Sequence, residues 1–187
     1  TQDHTVFFEE VSREHLPLVI ELEAERVANL SITQETLTSE RQVVLEERRM
    51  RTEDQPDGRA LEALLALALQ AHPYRWPVIG WMDDIQRISR ADCEGFFRTY
   101  YAPTNAAIYV VGDLDPEGTL ALLERYYGDV PAGPRPAPVP PGEPPQRGER
   151  RAVVRHPAQA PAILAGWRGP AATSPDRSEE RRVGEEG

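Results

Sequence analysis

Lysine is missing from this chain of 187 residues: all 21 cationic side chains are arginine, against 31 acidic ones, for a formal charge of −10. That balance argues against a nucleic-acid partner, because binding a phosphate backbone needs clustered cations to offset its charge. Cysteine is nearly missing too. The single Cys93 excludes an internal disulfide and any cysteine metal cluster, and a small buried residue on a helix is its default reading. No apolar run approaches the ~20 residues of a membrane-spanning helix, and no signal-like segment is present. The four histidines, His4, His15, His72 and His156, include no pair at i and i+4. Neither HExxH nor HxxEH therefore occurs. The chain starts at Thr1 in mid-pattern, and we expect it to be a piece of a longer protein.

What is present reads as a globular protein, with 40% hydrophobic and 28% charged residues. Residues 3–11, rich in β-branched and aromatic side chains, predict a strand. Residues 12–30 predict a helix with Ser12 as its cap and Pro17 in its first turn. A helix carrying residues 39–50 follows and fades by 53–58, where Pro56 and Gly58 break it. Residues 59–72 predict a well-buried helix, and 73–85 an irregular loop. A serine cap at Ser89 opens a helix that ends by Pro103. Residues 105–114 predict a buried strand. The next helix has Asp115 as cap, Pro116 at its first position and Gly128 at its end.

Eight of the fifteen residues from 131 to 145 are proline, which predicts an extended polyproline II linker. Its alternative, a ligand for an SH3-like domain, is less favoured. Four regions result: a first domain over 1–130, a linker over 131–148, the start of a second domain over 149–176, and a tail over 177–187. The tail resembles the translation of a sequencing adapter and is read as an artefact.

One helix poses a chemical question. At 3.6 residues per turn, Glu40, Val43, Val44 and Glu47 share a stripe, yet burying an unpaired charge is costly. A metal site would explain the carboxylates, since glutamate is an ordinary zinc ligand and a further carboxylate can orient it. A solvated face with Glu46–Arg49 and Glu47–Arg51 pairs would explain them as well. Spacing alone favours the solvated face.

In order and spacing, the segments "QDHTVFFEEV", "ERQVVLEERRMRTEDQP", "AHPYRWPVIGWMDDI", "FFRTYYAPTNAAIYVVGDLDP" and "YYGDVPAGPRP" resemble the zinc metallopeptidases of the pitrilysin/insulinase type, close to their bacterial processing-peptidase-like branch. The resemblance implies a Zn2+ cofactor with Glu47 as the third zinc ligand and Glu40 supporting it, while Glu46 stays free of the metal. The family's HxxEH segment, which brings two histidine ligands and the general base, lies upstream and is absent, so no catalytic residue is assigned in this chain. The implied fold is α+β: a mainly antiparallel sheet backed by helices, one half of a clam shell, followed by the start of a similar half. The implied activity of the full protein is zinc-dependent endopeptidase action on peptides or unfolded polypeptides, with the present chain alone inactive. The alternative is a non-catalytic subunit of a heteromeric peptidase of the same family. A homo- or heterodimer with a family member, and a periplasmic rather than cytoplasmic location, follow from the same resemblance.

Overall fold

A computed structural model describes residues 1–139, 142–170 and 174. Among them the regular elements are helical: α1 Leu16–Asn29, α2 Gln34–Arg48, α3 Pro56–Ala68, α4 Met82–Arg87, α5 Arg90–Tyr100 and α6 Pro116–Tyr127. A π-wound turn, Arg49–Glu53, continues directly from α2. The chain divides into two units, one formed by residues 1–45 and 82–139, the other by 46–81 and the described residues from 142 onward.

In the first unit α5 and α6 start where a side chain satisfies a free N–H group, whereas α1 has no side-chain cap bond, neither from Ser12 nor from His15. Pro17 occupies the first turn of α1, where a missing donor costs nothing. The Asp115 carboxylate accepts the Gly118 N–H at 3.1 Å at the start of α6. Ser89 and Asp92 form a reciprocal capping box on α5, with Ser89 N–H donating to Asp92 Oδ2 at 2.8 Å and Asp92 N–H to Ser89 Oγ at 3.2 Å. α1 packs against α6, with Ile20 and Ala24 of α1 and Thr119 of α6 among the buried residues. Arg41 donates to the carbonyls of Gln86 and Ile88 at 3.1 and 2.8 Å, joining α2 to the end of α4.

In the second unit α3 packs against the π-turn and the Pro73–Arg75 turn. Past the end of α3, the backbone N–H groups of Gln70, Ala71 and His72 all donate to the Glu143 carboxylate, at 2.8, 2.7 and 2.7 Å. Arg168 Nη2 reaches the same carboxylate at 2.7 Å. Burial raises the Glu143 pKa, but the three N–H donors and the guanidinium outweigh it and bring it to about 2.

The expected α+β fold with a mainly antiparallel sheet is overturned: no strand occurs among the described residues. Residues 3–11, 105–114, 151–155 and 162–167 form no ladder. A strand is stable only when its N–H and C=O groups pair with a neighbour, and these segments lack the partner that would supply a row of such bonds. The segment 105–114, expected to be buried, leaves Tyr109 and Val111 87% and 95% exposed. Three smaller corrections follow. α3 starts at Pro56, because a proline suits the first helical turn as well as it ends a preceding helix. None of its residues is fully buried. The stretch expected as a loop to residue 85 turns helical at Met82. The 177–187 tail lies outside the described residues.

Candidate functional site

The buried side of α2 and its π-turn carries Leu37, Leu45, Arg48 and Thr52. Those positions are spaced by eight, three and four, the helical repeat of one face. Glu40 is exposed and Val43 is 59% exposed, so the stripe read through Glu40, Val43 and Glu47 is out of phase with the core. Glu47 sits at its edge, with a side chain 36% exposed. Leucines 37 and 45 and one arginine set the roll of the helix; Val44 is half-buried beside them, and Val43 lies outside that face.

The pairs expected of a solvated face are both formed. Glu47 Oε1 lies 2.7 Å from Arg51 Nη1, and Glu46 accepts a bond from Arg49 Nη1 at 2.8 Å. Pairs of this kind at i+3 and i+4 contribute a few tenths of a kcal/mol each. Arg51 is 75% exposed, so its hold on Glu47 is weak and leaves the carboxylate able to turn to another cation.

That is the extent to which this chain fits a zinc ion. Glu47 offers one accessible carboxylate on the last turn of a helix, a suitable oxygen donor for zinc. Among the described residues no group of three histidine, cysteine, aspartate or glutamate side chains could hold a metal. Glu40 lies two helical turns, or about 10 Å of helix rise, before Glu47 on α2.

The charge most deeply built into this part of the chain is one that periodicity did not single out. Arg48 is 2% exposed. Its guanidinium grips Glu62 in a fork, Nη1 to Oε2 at 2.8 Å and Nη2 to Oε1 at 3.2 Å. Its Nε donates to Glu53 Oε1 at 3.1 Å and its Nη1 to the Gly80 carbonyl at 2.7 Å. The Trp81 ring centroid lies 5.5 Å from Cζ. Arg59 pairs with Glu53 as well, so two guanidinium groups face two carboxylates and the cluster is neutral. The sequence signal was faint for a physical reason: Arg48 and Glu53 are five apart, a spacing that α-winding separates and π-winding brings together.

Residues 87–181 match the family model described as Peptidase M16 inactive domain. The chain is similar to a zinc protease of Helicobacter pylori, PqqE, 38% identical over 81% of this chain and 35% of that protein. It is similar to the beta subunit of a probable mitochondrial-processing peptidase of Schizosaccharomyces pombe, 25% identical over 70% of this chain and 28% of that one. Its structure is similar to the crystal structure of a protease from Helicobacter pylori, with a TM-score of 0.67 at 35% identity, over 72% of this chain and 33% of that one. The chain thus spans about a third of the length of the proteins it matches.

Proposed function

Because this chain belongs to the M16 peptidase family, we propose that the protein containing it is a zinc-dependent endopeptidase acting on peptides or unfolded polypeptides. The observation that carries this reading is the 38% identity to a protein named a zinc protease, over 81% of the chain. In the proposal Glu47 would help hold the metal through its carboxylate, and its negative charge would partly neutralise the cation. Zinc, when bound, would supply Lewis acidity. Glu40, seven residues earlier on α2, would be its supporting carboxylate. Glu46 stays with Arg49. The present chain alone, offering one donor among its described residues, is inactive.

The test uses the full-length protein and an unfolded polypeptide substrate, with and without a strong chelator. Cleavage that stops on chelation and returns with zinc supports the proposal. Cleavage unaffected by chelation contradicts it. A second reading, a non-catalytic subunit that pairs with an active family member, is favoured by the similarity to a named peptidase subunit. It is the outcome if the purified protein cleaves nothing until a related partner is added. A periplasmic location is part of the proposal, checked by fractionation of the source cells.

A further inference from the structure

In the second unit, the chain that follows the proline-rich stretch is held by polar bonds more than by apolar burial. Val153, Ile163 and Trp167 are 86%, 97% and 88% exposed, so these large side chains contribute little hydrophobic stabilisation. The polar bonds converge on the end of α3. A helix leaves its last carbonyls without partners. Here Arg150 Nη1 donates to the Leu67 and Ala68 carbonyls at 2.5 and 3.3 Å, and Arg168 Nη2 to that of Ala68 at 3.0 Å. Just past the helix the polarity reverses. The N–H groups of three successive residues, Gln70, Ala71 and His72, point at one place, which the Glu143 carboxylate fills. They are not the free donors of the Pro73–Arg75 turn, whose Tyr74 N–H donates to His72 Nδ1 at 3.2 Å.

Three N–H groups and a guanidinium around one small space define its ligand. Rows of successive backbone N–H groups form concavities that bind anions, and a guanidinium adds a charge-assisted bond. Both carboxylate oxygens are engaged: Oε1 accepts from Gln70 N–H and Arg168 Nη2, and Oε2 from Ala71 and His72 N–H. The Glu143 side chain is only 10% exposed. A neutral amide would offer one acceptor oxygen and turn an NH2 donor toward the other donors. We propose that the turn after α3 is a carboxylate-binding site, and that Glu143, its resident ligand, latches the chain beyond the proline-rich stretch onto α3. Arg168 closes the latch from a second side, because its Nη1 donates to the Pro144 carbonyl at 2.7 Å. Pro144 and Pro145 follow directly and restrict the backbone, so seating the carboxylate fixes the course of the chain after it.

The test uses the full-length protein and acetate as a free carboxylate. Hydrogen exchange at the amides of residues 70–72, read by mass spectrometry, reports the site, and trypsin cleavage after the exposed Arg147 reports the latch. Glu143→Ala is expected to speed exchange at 70–72 by at least ~10-fold and to speed cleavage at Arg147. Acetate then restores the protection of 70–72, whereas chloride at the same ionic strength does not. Cleavage at Arg147 stays fast in acetate, because a free carboxylate fills the site without tethering the chain. Acetate acting no better than chloride overturns the carboxylate site, and unchanged cleavage at Arg147 overturns the latch. Equal acceleration of exchange in α6 would mean general loosening and overturns both. Should Glu143→Ala lack a native circular dichroism spectrum, Glu143→Gln takes its place, with exchange and cleavage as the readouts. Wild-type rates in that variant contradict the proposal, and faster ones support it.

Discussion

Glu47 and Arg48 are neighbours with opposite energetics. The exposed Glu47–Arg51 pair is screened by water and contributes little. Arg48 has been taken out of water altogether, and its stability depends on every one of its partners being present. Breaking such a buried pair from one side leaves two carboxylates to share the one guanidinium of Arg59 and costs about 3–5 kcal/mol. We therefore expect Arg48→Met to lower the unfolding free energy measured in urea by that amount and Arg51→Ala to change it by less than about 0.5 kcal/mol. Equal effects would mean the two sites do not differ in burial as described. Glu143 carries a pH dependence. Its pKa, about 2 in the folded chain against 4.5 ordinarily, is depressed. Its contribution to stability is accordingly full above pH ~4.5 and lost as the pH falls toward 2. Glu143→Gln should flatten the denaturation midpoint across that window, and an unchanged acid limb would contradict the N–H clamp.

Among the elements, those closed by short-range chemistry were the ones legible in the sequence. Asp115 caps a helix beginning at Pro116, and Ser89 caps one ending before Pro103, because each cap bond spans three residues. Ser89→Ala should cost about 1 kcal/mol in thermal or urea unfolding through loss of the capping box. Arg90→Ala, which removes only an exposed pair with Glu94, should cost much less, and the reverse order would discount the box. The phase of α2 was not legible, since what buries Arg48 is Glu62, fourteen residues on. The clamp on Glu143 was hidden in the same way, its donors 71 to 73 residues away. The segments 3–11 and 105–114 have strand-like composition. Composition records what would suit a pleated surface, and a ladder partner is a separate, non-local requirement. Of the candidate site, Glu47 was singled out as a proposed zinc ligand through family resemblance, whereas the arginine beside it carries no pattern that periodicity detects.

At the scale of the whole molecule, the chain is about a third of the proteins it resembles, and one carboxylate is what it brings to the proposed zinc site. The account therefore stands on a residue-specific claim inside a larger protein: that Glu47, and not its neighbour Glu46, binds the metal. Both are glutamates near the end of α2, both pair with an arginine one turn on, and they differ chiefly in the direction they leave the helix. The most direct measurement is the zinc content of the purified full-length protein by metal analysis, in the wild type, Glu47→Gln and Glu46→Gln. The account predicts near-stoichiometric zinc in the wild type and in Glu46→Gln, with most of it lost in Glu47→Gln. Equal zinc in the two variants would contradict it.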